Sequence, residues 1–323
     1  MKETEKQMAD IWIAIIWIAA AAAGIAALVL LAAFLAAHKT FYSPKKKRGR
    51  PDSFPKGEQY QKLRAQVKEM ISGLQAIPFE WVETTSADGL KLRARYYHVR
   101  DGAPVSILVH GYRANAIRDF CGGVVFCMEE GSNVLLVDQR GQGESEGCYM
   151  TFGIKERYDL KKWVEYIVGR CGRDTPIMFY GISMGGATVL MASGLDLPSN
   201  VRGILADCPF SSPKDIINKV CKDMGLPANA VYPFIRLGAK VFAGFDLEDA
   251  TAIRAMQSSN IPVTIIHGED DRFVPCAMGR EIARAYPETV RFHSFPDAGH
   301  GISYMQDKER YRAIIRDFVK EVI

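Results

Sequence analysis

The chain has 323 residues, 48% of them hydrophobic and 24% charged, with a formal net charge of +4. That length suffices for one large α/β domain with an appendage, and that composition excludes a largely disordered chain. The run Lys45-Lys46-Lys47-Arg48-Gly49-Arg50 exceeds the whole charge balance, so the rest is near neutral and lacks the basic face of a nucleic-acid binder.

A short N-terminal tail, residues 1–10, precedes an uncharged run from Ile11 to Ala37. Its length of about 27 residues exceeds the roughly 20 that span a bilayer and the roughly 7–15 apolar residues of a cleaved leader. Trp12 and Trp17 near one end, and Phe41 and Tyr42 beyond the other, suit the two interfaces. The sequence thus predicts a transmembrane anchor over 11–37. Lys2 and Lys6 flank it on one side, and six Lys or Arg residues from Lys39 to Arg50 on the other. That bias predicts a catalytic body on the cytoplasmic side. Seven cysteines without Cys-x-x-Cys or Cys/His spacing agree with a reducing compartment and indicate no metal site. Residues 38–57 read as a basic linker that stops transfer and attracts anionic head groups. Over 58–76, Leu63, Val67, Met70, Ile71 and Leu74 have helical spacing.

From residue 79 onwards, strand-like and helix-like segments alternate. Phe79–Thr85 and Leu90–Tyr97 flank Ala87-Asp88-Gly89 and predict an antiparallel hairpin. Six further short apolar runs begin at Val105, Val134, Ile177, Val201, Ile261 and Val290. Several are apolar throughout, as in a parallel sheet buried on both faces. The expectation is an eight-stranded, mostly parallel α/β sheet with helices on both faces. Residues 209–260 are too long for a crossover. They read as a small helical cap, broken at Pro213, Pro227 and Pro233 and forming a substrate pocket, or else as one crossover helix with loop.

Reactive groups in such sheets gather at the carboxyl ends of the strands. There the sequence has His110-Gly111-Tyr112, Asp138-Gln139-Arg140-Gly141, Gly181-Ile182-Ser183-Met184-Gly185, Asp207, His267 to Asp271, and Gly299-His300. A serine hydroxyl needs an imidazole to take its proton and a carboxylate to orient that imidazole. Ser183, Asp271 and His300 provide these types in the order Ser, Asp, His. Asp207 and Asp270 are rival acids. Gly181 and Gly185 leave room for a strained serine turn. His110 and His267 open His-Gly turns, and Asp138 reads as an organiser of the loop that holds Arg140.

His-Gly-Tyr at 110–112, Asp138-x-Arg140-Gly141-x-Gly143-x-Ser145, Gly181-x-Ser183-x-Gly185, His267-Gly268-x-x-Asp271-x-x-Val274-Pro275 and Gly299-His300 together resemble the motifs of α/β-hydrolase-fold serine hydrolases. The resemblance covers roughly 79–323 and is nearest to the Bem46-related bacterial hydrolases. It implies an α/β-hydrolase domain over 58–323, and its motif register selects Asp271 as the acid. It also implies an oxyanion hole made by the backbone N–H groups of Tyr112 and Met184. The Tyr112 side chain either lines the pocket or simply packs. The function expected is hydrolysis of a small carboxylic ester through an acyl-enzyme, without cofactor, metal or nucleic acid. A serine peptidase of the same fold is the alternative, and a silent membrane-tethered binding protein the reading from another class. Oligomeric state and physiological substrate leave no mark in the sequence.

Overall fold

A computed structural model describes residues 2–45, 48 and 57–323. Much of the predicted linker, including Lys46, Lys47 and Arg50, lies outside the described residues. Helix α1 runs Lys2–Phe41 and α2 Glu58–Gln75. The strands are β1 (Glu80–Thr85), β2 (Lys91–Tyr97), β3 (Val105–Val109), β4 (Asn133–Asp138), β5 (Ile177–Ile182), β6 (Val201–Asp207), β7 (Val263–Gly268) and β8 (Val290–Phe295). They form one sheet in the order β1-β2-β4-β3-β5-β6-β7-β8. β2 pairs antiparallel with β1 and β4, and every other pairing is parallel.

Helices α3 (Ala116–Asp119) and α4 (Cys121–Glu129) link β3 to β4, and α5 (Glu156–Cys171) links β4 to β5. α6 (Met184–Ala192) follows β5. α7 (Pro213–Asp223), α8 (Ala228–Gly238), a π-helical turn over Ala239–Ala243 and α9 (Ala252–Met256) lie between β6 and β7. α10 (Cys276–Ala285) precedes β8, and α11 (Ser303–Gln306) and α12 (Lys308–Val322) end the chain.

The two-residue period of the strands divides the core. Val105, Ile107 and Val109 of β3 pack with Leu160 and Trp163 of α5 and Val189 of α6. Leu108, pointing the other way, packs with Ile71 and Leu74 of α2, Val124 of α4 and Ile315 of α12. Each face of the sheet is thus covered, so all five β3 side chains are buried, with Ser106 the one polar residue among them. Arg140, just after β4, is buried and bridges the hairpin turn to α5. Its Nη1 donates to Asp88 Oδ2 at 2.9 Å, and its Nε donates to Asp159 Oδ2 at 2.5 Å.

A third core lies over the carboxyl ends of the strands, and α1 takes part in it. Ala33, Ala37 and Phe41 are buried, four residues apart and hence on one helical face. A Cβ at Gly238 of α8 would lie 2.2 Å from the Ala33 carbonyl oxygen and 2.7 Å from Ala37 Cβ, so the two helices touch backbone to side chain. Phe41 packs edge-on to Phe152 and Phe245, with ring centroids 5.7 and 5.1 Å away. Beyond the helix, Met150 N–H donates to Phe41 O and Ser43 N–H to Cys148 O. The start of the stretch read as a linker, 38–43, is therefore built into the domain. Arg48 is also engaged, through backbone carbonyls of Gly143, Ser145 and Gly147.

The segment 209–260 differs from expectation in two respects. Pro233 lies inside α8 without ending it; only its own N–H bond is lost. The segment also packs mainly around the end of α1, with Ile216, Ile217, Tyr232 and Ile235 in the same core as Phe41. Truncating a buried phenylalanine typically costs about 3–5 kcal/mol. Phe41→Ala should therefore destabilise the whole α/β domain by about 3 kcal/mol, read as a lower denaturation midpoint of the full chain in detergent. An unchanged midpoint would show that α1 is energetically separate from the domain.

Candidate active site

The chain turns sharply between β5 and α6, and Ser183 occupies the apex with φ 57° and ψ −116°. This is a conformation that L-residues seldom adopt. The turn is possible because its neighbours lack side chains. A Cβ at Gly185 would lie 1.9 Å from Val109 O, and one at Gly181 would lie 2.3 Å from Gly185 O. Ser183 N–H donates to Asp207 O at 2.8 Å, which ties the apex to the end of β6.

The structure brings Ser183, His300 and Asp271 together. His300 Nε2 lies 2.9 Å from Ser183 Oγ, and His300 Nδ1 lies 2.7 Å from Asp271 Oδ2. Asp271 Oδ1 accepts from Phe273 N–H at 2.9 Å and Val274 N–H at 2.8 Å. Burial alone would raise the pKa of Asp271, but hydrogen bonds from His267 and His300 outweigh it and hold the pKa at about 2. An ionised carboxylate only accepts, so Nδ1 of His300 carries the proton and Nε2 faces Ser183 with a free lone pair. Such a pair can move a proton from the hydroxyl to the imidazole.

The rival acids line the same cavity but are not the acid bonded to His300 Nδ1. Asp270 is exposed. Asp207 is buried and accepts from Tyr311 Oη–H at 2.9 Å through Oδ2, while its Oδ1 has no partner among the described residues. Burial pushes its pKa up to about 6 against that hydrogen bond.

The loop after β3 lies against Ser183, because a Cβ at Gly111 would be 3.5 Å from Ser183 Cβ. Asp119 Oδ2 accepts from Gly111 N–H at 3.0 Å and orders this turn. His110 also braces it. Its Nε2 accepts from Gln139 N–H, so its Nδ1 carries the proton and donates to Gly111 O at 2.9 Å. The two backbone groups expected to bind an oxyanion flank Ser183. Met184 opens α6, where N–H groups lack intrahelical acceptors, and Tyr112 follows Gly111. The Tyr112 side chain both lines the cavity and is held, its hydroxyl donating to Thr40 O of α1 at 2.6 Å.

A cavity of about 970 Å³ opens beside Ser183 and His300. Among the described residues it is lined by α2, the 111–127 region, Arg272, Phe273 and the 300–315 region, and by no residue of 209–260. The pocket expected under a 209–260 cap is instead walled by α2, the amphipathic helix read only as a lead-in. Tyr60 of α2 donates to His300 O at 2.9 Å, and Gln59 packs on Gly299. Sequence reasoning missed both residues, since helical periodicity shows that a face is buried but not what covers it.

The Asp207 carboxyl predicts a pH effect. Its folded pKa of about 6 lies above the ordinary 3.8, so the folded state binds the proton more tightly than the unfolded chain. That contribution is complete below pH 3.8 and lost as the pH rises through 6. Wild-type stability should fall by up to about 3 kcal/mol across this window. Asp207→Asn, which keeps an acceptor for Tyr311, should flatten the step. Parallel stability–pH curves from denaturant titrations of the two proteins would contradict this assignment.

A family profile described as Serine aminopeptidase, S33, matches residues 104–244. Uncharacterized protein YqkD of Bacillus subtilis is 24% identical over 247 residues, covering 75% of this chain and 81% of that one. The bifunctional esterase/perhydrolase DCH of Acinetobacter calcoaceticus is 24% identical over 259 residues, covering 68% and 92%. Among solved structures, the Pyrococcus furiosus esterase Pf2001 superposes with a TM-score of 0.62 at 22% identity, covering 79% of this chain and 93% of that one. That superposition shows the α/β-hydrolase fold, and the match of 104–244 to the serine aminopeptidase profile, with the relatives, supports a serine hydrolase.

Proposed function

We propose that the chain is a membrane-anchored esterase that uses Ser183 as nucleophile, His300 as base and Asp271 as the orienting acid. The observation that carries this reading is the continuous hydrogen-bond line from Asp271 through His300 to Ser183 at the edge of a large cavity. His300 Nε2 takes the Ser183 proton as Oγ bonds to the ester carbonyl carbon, and the carbonyl oxygen becomes an anion facing the Met184 and Tyr112 N–H groups. The tetrahedral centre then breaks its bond to the alkoxy oxygen, which leaves as an alcohol with the proton held by His300. Water attacks the acyl-enzyme, giving its proton to the same imidazole, and the acid leaves as Ser183 regains its proton. Two preorganised backbone donors are worth most where negative charge develops, each about 3 kcal/mol.

The membrane part of the proposal rests on α1. Its large apolar side chains are exposed from Ile11 to Leu35, whereas Ala37 and Phe41 belong to the domain core. A cleaved leader would not share its last turns with the core of the mature protein. Residues 11–32, ahead of the packed stretch, would reach roughly 33 Å, close to the roughly 30 Å of a hydrocarbon core. The Lys and Arg excess after the helix supports a cytoplasmic domain.

The matched profile's description as an aminopeptidase favours a second reading, cleavage of a peptide bond by the same three residues. A fluorophosphonate probe should label the wild type and leave Ser183→Ala unlabelled; equal labelling, or none of the wild type, would remove the nucleophile. Turnover of p-nitrophenyl esters above aminoacyl-arylamides supports the esterase, and the reverse ranking establishes the peptidase. Protease added outside sealed, right-side-out vesicles should leave the domain intact. Digestion there, with the vesicle lumen still protected, would place the domain on the opposite side.

A further inference from the structure

The cavity beside Ser183 continues between α2, α4 and α12 along one face of the sheet, and its lining there is apolar: Leu63, Val67, Met70, Phe126, Tyr304 and Ile315. Leu63, Val67 and Met70 recur at spacings of four and three, so one stripe of α2 forms the wall. Part of that stripe is seated by a glycine. A Cβ at Gly122 of α4 would lie 2.6 Å from both Met70 Cε and the Tyr304 ring, so α2 approaches α4 as closely as the missing side chain permits. At about 970 Å³ the space is at the upper end of the roughly 300–1,000 Å³ usual for small-molecule sites. An acetyl group would leave most of it as wetted apolar surface, whereas each further methylene of a longer chain removes more of that surface from water.

The lip of the same cavity is tied to α1. Arg113 and Tyr112 both line it. Arg113 Nη2 donates to Lys39 O at 2.8 Å and Tyr42 O at 3.2 Å, and the Tyr112 hydroxyl to Thr40 O. Thr40 is seven residues beyond Ala33, where α1 begins to pack on the domain, a distance of roughly 10 Å along the helix. On the membrane topology proposed above, the lip therefore sits at the bilayer surface, within reach of a molecule resident in the leaflet.

We propose that this cavity is the acyl-chain site for a single-chain amphiphile, an ester of a long-chain fatty acid drawn from the leaflet beside α1. The inference rests on the esterase reading for its chemistry but not for its binding, and the two are tested separately. Full-length Ser183→Ala in lipid nanodiscs removes turnover, and a fluorescent long-chain fatty acid reports occupancy as saturable signal above empty discs. Dodecanoate should displace the probe at a concentration at least about a hundredfold below that needed for butanoate. Adding Val67→Trp, or the half-exposed Leu63→Trp if the first does not fold, should weaken dodecanoate about tenfold or more. Lys68→Ala, on the outer face of α2, should not. In the active enzyme, the ratio of dodecanoyl to butanoyl p-nitrophenyl ester turnover should drop with the tryptophan variants. Absence of saturable dodecanoate binding, or tryptophan variants that bind it like the parent, would overturn the acyl-chain site. Intact binding with no ester turnover by wild type would instead overturn the esterase reading and leave the site standing.

Discussion

The site depends on a steric constraint at the end of β5. The backbone reverses there so tightly that Val109 O, Gly185 and Gly181 occupy one another's side-chain space. Ser183 is forced to a positive φ, a strain of about 1–3 kcal/mol that persists only where the surroundings over-determine it. Three strands do so: β5 carries the turn, β3 supplies the carbonyl it abuts, and β6 accepts the Ser183 N–H through Asp207 O. The same packing sets the Gly111 turn beside the Ser183 side chain, so the hydroxyl and the neighbouring backbone are positioned by one constraint rather than several.

Around that fixed point, two buried carboxyls have been driven apart by their surroundings. Asp271 accepts two backbone N–H groups and faces two imidazoles, and it stays an anion. Asp207 has one phenol partner and an orphan oxygen, and burial raises its pKa. Environments that separate the pKa values of neighbouring acids also separate their roles. An anion beside Nδ1 fixes the tautomer of His300. A carboxyl that favours its proton below about pH 6 ties the end of β6 to Tyr311 of α12 without competing for that imidazole. Asp207 ends β6 and Asp271 follows β7 closely, so position alone left the choice open; the number of N–H donors each receives distinguishes them physically.

Much of this was legible because it is local. Gly181-x-Ser183-x-Gly185 states its own steric problem, and runs such as 134–137 announce burial on both sides by having no polar residue. The rule that reactive groups follow parallel strands brought Ser183, His300 and the candidate acids to one end of the sheet, whereas the choice of Asp271 among the acids came from the motif register of the resemblance. What stayed hidden involves pairs of distant segments. Ala33, Ala37 and Phe41 lie in or beside an apolar run, where a face turned to lipid and a face turned to protein look alike. Gly238, which admits that contact, reads as an ordinary helix end. The α2 stripe was seen, yet nothing in its period says that it walls a cavity. The long 209–260 insertion was assigned that task because of its place in the chain, whereas its apolar side chains gather round the end of α1.

On the proposed topology, that last exchange changes how the enzyme would relate to a membrane. A flexible basic linker would let the domain tumble, and the substrate's route to Ser183 would be independent of the anchor. Here the last turns of α1 lie in the core beside Met184 and Phe210, and its terminal carbonyls hold the side chains of Tyr112 and Arg113. On the proposed topology, the tilt of α1 and the direction in which the cavity opens are one variable. A rigid joint costs orientational freedom in solution, but at a surface most orientations are useless for a substrate that arrives along the leaflet. Fixing the useful one in advance turns a search over orientations into a search along a plane. On that proposal, the residues that fix it, Ala33 to Tyr42, belong to the substrate's path as much as those that line the cavity.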